Sequence, residues 1–325
     1  MADTVLATRN LIVTFAVSRG LRSRKFNAVD DVTLDFRKGR VTMVVGESGA
    51  GKTTLGLATV GAVKYSGGRM LFNGQEVSKL RGKDYKEYRR NAQYIPQDPY
   101  ASLHPFKRIS TQMLEVIKLY NKHISDEEAL EKAEKIFESV GLTPPGEILN
   151  KYPFEISGGQ RQRVNIAKVL AIGPSYVVAD EPVTMLDASL KASLVTLMRD
   201  IIERTGMSLA FITHELSLAP AFIGMGDLAV MYLAKVVEYG PIETVLGSPL
   251  HPYTQALMSA ILEPDPKRNA NKTLKLTKLD PPNPLNPPPG CRFSDRCPFR
   301  MDKCVTKEPE LKQVNAGHYV ACYLY

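Results

Sequence analysis

The sequence of 325 residues contains no apolar run approaching the roughly 18 consecutive residues that a membrane-spanning helix needs. Its most apolar stretches are strand-length, and one of them, residues 228–233, is soon followed by Lys235. The opening MADTVLATRN carries Asp3 and Arg9 and lacks the apolar middle of a secretion signal, so the chain is expected to stay in the cytoplasm. There is no internal repeat and no sustained heptad pattern, which excludes solenoids and long coiled coils. Charge of one sign is not dominant either. Lysine and arginine number 42 against 34 aspartates and glutamates, a net +8 that suits an anionic surface but decides nothing alone. Cysteine is scarce: there are four, and none precedes Cys291.

What is present is an ordinary globular balance, 44% hydrophobic and 23% charged, enough for a sizeable core. A strand-rich segment runs from about Val5 to Phe36. The apolar strand Val41–Val45 then feeds a glycine-rich turn and a helix beginning near Gly51. After a short β-rich stretch, Arg69–Val77, the chain turns polar and helical to about Asn150; within it, residues 126–140 space their apolar positions as a surface helix does. Strand and helix patterns then alternate through Tyr176–Ala179, Ala188–Glu203, Leu209–Thr213 and Leu228–Tyr232. Such alternation predicts a mostly parallel sheet covered on both faces, with the polar helical block inserted into it. Eight of the 22 prolines fall between Pro264 and Pro289, which reads as an extended connection.

Residues 46–53, Gly-Glu-Ser-Gly-Ala-Gly-Lys-Thr, match the phosphate-loop pattern between a predicted strand and a predicted helix. Glycines let successive backbone N–H groups turn inward toward phosphate oxygens, and the helix N-terminus adds its positive dipole end. The expected nucleotide contacts are Gly46, Ser48, Gly49, Ala50, Gly51, Lys52, Thr53 and Thr54. Lys52 is expected to reach the β- and γ-phosphates, and Thr53 to offer its hydroxyl to Mg²⁺. A second apolar strand, residues 175–179, ends in Asp180-Glu181-Pro182. In sheets of this kind a carboxylate at a strand's carboxyl end lies beside the phosphate loop. Asp180 is therefore expected in the Mg²⁺ shell, and Glu181 is expected to orient and deprotonate the attacking water.

Residues 156–160, Ile-Ser-Gly-Gly-Gln, followed by Arg161-Gln162-Arg163, resemble the LSGGQ signature of ABC ATPases, 20 residues before Asp180. Residues 91–98, Asn-Ala-Gln-Tyr-Ile-Pro-Gln-Asp, resemble the family's Q-loop. Met185-Leu186-Asp187 resembles its D-loop, with Met in place of the usual Ala, and Thr213-His214-Glu215 its switch histidine. The order and spacing of all these motifs match the family from Gly46 to His214. The resemblance implies two such domains meeting head to tail, each ATP held by the phosphate loop of one and by Ser157, Gly158, Gly159 and Gln160 of the other, with Asp187 in the interface. It implies that Gln97 senses Mg²⁺ and the membrane subunit, and that His214 contacts the γ-phosphate. It implies further that an aromatic residue stacks on adenine; Phe15 aligns best for that role, with Phe26 as the alternative.

Two features are similar to the oligopeptide/dipeptide importers of the family, and to the second (F-type) ATPase of their pair. These are residues 251–260, His-Pro-Tyr-Thr-Gln-Ala-Leu-Met-Ser-Ala, and residues 97–105, Gln-Asp-Pro-Tyr-Ala-Ser-Leu-His-Pro. The latter lie where the membrane subunit's coupling helix would dock. An oligosaccharide importer and a non-transport ATPase acting on nucleic acid are the alternatives; the long coiled coil or zinc insertion of a chromosome or repair ATPase is absent. The implied partners are a second homologous ATPase, two transmembrane permeases and an extracellular solute-binding protein, with no nucleic acid. The implied place is the cytoplasmic face of the membrane.

Cys291, Cys297, Cys304 and Cys322 are spaced C-x5-C-x6-C-x17-C. Clustered thiols in a reducing compartment suggest a metal, either Zn²⁺ or [4Fe–4S], and a packed tail of free thiols is the third reading. The spacings are long for zinc, and the tail resembles that of oligopeptide-type ATPases, some of which hold [4Fe–4S]; the cluster is the expectation. The expected fold is thus a RecA-like α/β P-loop ABC domain over residues 1–263 with a helical subdomain at about 92–160. A proline-rich linker (264–289) and a four-cysteine segment (290–325) follow.

Overall fold

The computed structural model describes residues 3–19, 22–261 and 276–325. Strands β1 (Thr4–Arg19) and β2 (Arg22–Arg37) form an antiparallel ribbon. Then come β3 (Val41–Val45), α1 (Lys52–Thr59), β4 (Gly67–Phe72), β5 (Gln75–Glu76), α2 (Gly82–Asn91) and β6 (Ala92–Ile95). Helices α3 (Ile109–Tyr120), α4 (Asp126–Ser139), α5 (Pro145–Leu149) and α6 (Gly158–Ile172) follow without an intervening strand. The chain continues through β7 (Tyr176–Asp180), α7 (Ala188–Thr205), β8 (Ser208–Thr213), β9 (Gly226–Tyr232), β10 (Lys235–Pro241), α8 (Ile242–Gly247) and α9 (Pro252–Ser259). A short helix at Asp302–Thr306 and strands β11 (Lys312–Asn315) and β12 (His318–Val320) complete it. None of the described helices is long and apolar enough to cross a membrane.

The strands make a four-stranded sheet, β2-β1-β4-β5, and an eight-stranded sheet, β11-β12-β10-β9-β3-β8-β7-β6. In the larger sheet β6, β7, β8, β3 and β9 run parallel. Its central strands are buried along their whole length, the mark of a sheet covered on both faces. Alternate residues serve different cores. Val41, Met43, Val45, Val177, Ala179, Leu209 and Phe211 face α6, α7 and the helical block. Val44, Val178, Ala210 and Ile212 face α1 and the smaller sheet. Gly56 lets α1 lie close on this second face, since a Cβ there would stand 2.7 Å from Ile212 and 2.8 Å from Val178.

The helical block forms for local reasons. In α3, Ile109, Met113 and Ile117 recur every fourth residue, as do Ala129, Ala133 and Phe137 in α4, and all are fully buried. Burying one such large side chain contributes about 1.5–3 kcal/mol. Ser125 and Glu128 close a reciprocal capping box at the start of α4, adding about 1 kcal/mol. Residues 92–95, at the opening of the expected helical insertion, instead form edge strand β6, with Ala92 and Ile95 buried against β7.

The final segment is joined to the main body. β12 pairs antiparallel with β10, so the hairpin β11–β12 extends the large sheet. Across this seam Glu238 and His318, both fully buried, share a hydrogen bond of 2.8 Å between Glu238 Oε1 and His318 Nε2. Glu238 also accepts the backbone N–H groups of Leu250 and His251, so its carboxylate is satisfied away from water. Of the proline-rich connection expected over residues 264–289, the part up to residue 275 lies outside the described residues.

Candidate functional site

The loop between β3 and α1 owes its shape to close approaches that only glycine permits. A Cβ on Gly46 would fall 2.2 Å from the Met231 carbonyl oxygen, and one on Gly51 2.1 Å from that of Ala28. Gly49 and Gly51 also hold left-handed backbone, with φ of 79° and 99°. Lys52 opens α1 nearly buried, its Nζ donating to the carbonyls of Gly46 (2.7 Å) and Glu47 (2.9 Å). Desolvation lowers the Lys52 pKa, opposed by the nearby charges of Glu181, Asp180 and Glu47.

A cleft of about 880 Å³ opens over this loop, within the size range of small-molecule sites. Ser48, Gly49, Gly51, Lys52, Thr53 and Thr54 line it, joined by Gln97, Glu181 and His214 from three other strand ends. Phe15 and Phe26 both line it too. They are register partners across the β1–β2 ribbon with ring centroids 6.2 Å apart, so the two candidates for adenine stacking stand side by side. Ala50 is buried beneath the loop, its carbonyl accepting from Ala234 N–H at 2.9 Å.

At the end of β7, Asp180 is buried. Its Oδ2 accepts from the Tyr94 hydroxyl at 2.8 Å, while its Oδ1 has no hydrogen-bond partner among the described residues. Desolvation raises its pKa, with the Tyr94 hydrogen bond and the nearby Thr53 hydroxyl acting against the rise. A buried carboxylate oxygen with no partner, next to the Thr53 hydroxyl, fits a hard cation such as Mg²⁺. Glu181 follows with φ of 45°, a left-handed backbone uncommon outside glycine and a typical place of functional strain. Its Oε2 accepts from Gln97 Nε2 (3.0 Å) and Thr184 Oγ1 (3.1 Å), and its Oε1 lies 3.1 Å from His214 Nδ1. Gln97, Glu181 and His214, far apart in sequence, therefore meet at one carboxylate. Sequence reasoning missed Tyr94 and Thr184; Tyr94 reaches Asp180 through the parallel register of β6 with β7, which sets it beside Val178 and which the sequence does not record.

Ser157, Gly158, Gly159 and Gln160 are not brought to this cleft. Ser157 caps α6, its Oγ accepting from Gln160 N–H (3.2 Å) while Gln160 Oε1 accepts from Ser157 N–H (2.9 Å). The capped N-terminus of α6 lies outside the residues lining this cleft, as does Asp187, which caps α7 through Leu190 N–H at 3.0 Å. Between them, Arg161 runs from α6 to the carbonyl of Pro153 (2.6 Å), with its guanidinium 4.0 Å from the Tyr100 ring centroid. This ties the signature helix to residues 97–105.

The sequence matches the ABC transporter family over residues 29–184, and the oligopeptide/dipeptide transporter C-terminal region over residues 237–304. It is 39% identical to the oligopeptide transport ATP-binding protein OppF of Haemophilus influenzae, covering 98% of this chain and 97% of that one. The chain belongs to the ABC transporter ATPases. It is 40% identical to a putative peptide import ATP-binding protein of Brucella ovis over 93% of each chain. It is also 38% identical to the oligopeptide transport ATP-binding protein AppF of Bacillus subtilis, over 99% and 98%. In fold it is similar to cbiO1 from Clostridium perfringens, at TM-score 0.64 and 23% identity, over 76% of this chain and 92% of that one. These relatives bear out the ABC ATPase of the oligopeptide/dipeptide importer group, an enzyme that hydrolyses ATP as part of a transport complex with membrane permeases.

The expected [4Fe–4S] cluster is overturned. Among the described residues no group of three or more His, Cys, Asp or Glu side chains is disposed to hold a metal ion. The four cysteines are free thiols around a cavity of about 10 Å³, room for about one water. Burial raises the thiol pKa values of Cys297 and Cys322 and pushes that of Cys291 up to about 12, as it does for thiols packed among apolar side chains. Buried Cys304 instead bonds through its backbone, accepting from Cys291 N–H at 2.8 Å. Zinc falls with the cluster, and the thiols act as small apolar groups in a packed tail.

Proposed function

We propose that this ATPase powers import of oligopeptides or dipeptides, paired with a second homologous ATPase beneath two permeases at the cytoplasmic face of the membrane. An extracellular binding protein delivers the solute. The observation that carries the catalytic part is the convergence of Gln97, Thr184 and His214 on Glu181 beside Lys52 and Asp180. The backbone N–H groups of residues 48–53 and Lys52 bind the triphosphate, and one of Phe15 and Phe26 stacks on adenine. Thr53, Gln97 and Asp180 would hold Mg²⁺, which would supply charge neutralisation on the phosphates. Glu181, oriented by Gln97 and His214, takes the proton of the attacking water, and phosphoryl transfer to that water gives ADP and phosphate. Ser157, Gly158, Gly159 and Gln160, together with Asp187, serve the nucleotide of the partner ATPase, which accounts for a capped helix end turned away from its own cleft. ATP thereby favours the closed pair and hydrolysis releases it, a population shift carried by contacts across the interface.

Tyr100, Phe106 and Phe154 present exposed rings around residues 97–106 and 152–154, an apolar footing for a permease helix. The peptide assignment is carried by likeness to the named relatives. It is tested by reconstituting the complete transporter in vesicles and measuring ATP turnover with its binding protein loaded with peptides or with oligosaccharides. Stimulation by peptides is expected; stimulation by oligosaccharides alone overturns the peptide reading.

A further inference from the structure

We propose that the C-terminal region positions the phosphate loop, with Arg296 and Tyr253 acting through Glu47. This rests on the nucleotide reading of the cleft and assigns a role to the part of the chain beyond the motifs of hydrolysis.

Glu47 is the second residue of the loop, lines the cleft, and is gripped at three points. Its backbone N–H donates to the Tyr253 hydroxyl at 2.8 Å. Its carbonyl accepts from Lys52 Nζ. Its carboxylate takes both arms of the Arg296 guanidinium, Nη1 to Oε2 at 2.8 Å and Nη2 to Oε1 at 3.0 Å. Arg296 is itself fixed, with a side chain only 4% exposed. Nη2 also donates to the Leu279 carbonyl at 2.8 Å, Nε to that of Lys278 at 3.2 Å, and Nη1 to the Tyr232 hydroxyl at 3.3 Å. The rings of Tyr232, Tyr253 and Phe293 pack together behind it, with centroids 4.6–5.4 Å apart. His251, which caps α9 by accepting from Tyr253 N–H, sets the position of Tyr253.

The chemistry gives this clamp a purpose. A carboxylate in a loop that receives a triphosphate repels the ligand unless it is compensated. The bidentate, desolvated guanidinium compensates it and holds it away from the phosphates, since charge-assisted pairs of this geometry are the strong ones. Arg296 is thus a positioning residue: it acts on ATP through Glu47. Removing Arg296 leaves the loop with an unpaired negative charge, and removing that charge as well relieves the defect. A merely structural Arg296 would show no such relief.

The test measures the affinity of the full-length chain for a fluorescent ATP analogue with Mg²⁺, alongside each variant's melting temperature. Arg296→Met is expected to weaken binding about tenfold or more, Glu47→Gln to leave it within about threefold, and the double variant to return to the level of Glu47→Gln. If Arg296→Met does not yield folded protein, Arg296→Gln, which also removes the charge but keeps a side-chain donor, serves in its place, alone and combined with Glu47→Gln. A double variant as weak as the Arg296 single variant, or an Arg296 variant that binds normally, overturns the clamp. Lys52→Ala separates this from failure of the underlying reading: if it binds ATP normally, the cleft assignment itself is wrong.

Discussion

Glu181→Gln isolates the chemical step from the binding step. The substitution is nearly isosteric and retains a side-chain oxygen that can accept from Gln97 Nε2 or His214, which now meet Glu181 at 3.0 and 3.1 Å. The fold around β7 and β8 is therefore expected to survive, with the Glu181 N–H still bonded to the Ile212 carbonyl at 2.9 Å. What is lost is the proton acceptor. General-base assistance is worth about 10²–10⁴ in rate, or about 2.7–5.4 kcal/mol of barrier. ATP affinity is not expected to fall, because a negative charge has been removed from a cleft that receives an anion. Phosphate release at saturating ATP and equilibrium nucleotide binding, measured on the same preparation, separate the two effects. The variant is expected to bind ATP, to lose at least a hundredfold in turnover, and to accumulate as the closed pair with its partner ATPase in size-exclusion runs with ATP. Turnover within about threefold of the unchanged chain would refute the role of Glu181 and with it the reason for its left-handed backbone.

Two further predictions use the titratable groups. Asp180→Asn is expected to abolish Mg²⁺-dependent hydrolysis while raising the melting temperature of the nucleotide-free chain. The folded pKa of Asp180 is raised by desolvation, so the folded state holds its proton more tightly than the unfolded one. The buried charge therefore reduces stability once pH exceeds the ordinary carboxylate range; Asn removes that penalty, and a lower melting temperature at pH 7–8 would count against it. His251 lies the other way. Burial lowers its pKa to about 3, so between about pH 3 and 6.5 the unfolded state binds the extra proton and stability falls as pH drops, by up to about 1.4 kcal/mol per unit. His251→Asn, which keeps a helix-capping acceptor, is expected to lose less melting temperature between pH 7 and 5 than the unchanged chain; an equal loss would assign the acid sensitivity elsewhere.

The local part of this protein was legible in its sequence for a physical reason. A phosphate loop is a nest of consecutive backbone N–H groups, so residues 46–53 carry their geometry in their own spacing. Alternation of apolar strand and helix likewise foretold the covered parallel sheet. Glu181 illustrates the boundary: its identity followed from the strand before it, but its contacts with Gln97 and His214 needed β6, β7 and β8 laid in register. The choice between Phe15 and Phe26 dissolved once the β1–β2 ribbon set both rings on the cleft. The tail was decided by tertiary structure alone. Cysteine spacing suggested a metal, yet whether thiols converge as thiolates depends on cavity size and desolvation, which no spacing records. Nor does any local pattern announce that Arg296, 249 residues from Glu47, closes on the phosphate loop. That contact exists because β12 and the aromatic cluster of Tyr232, Tyr253 and Phe293 fold the tail back onto the large sheet, bringing together charges that the chain itself holds far apart.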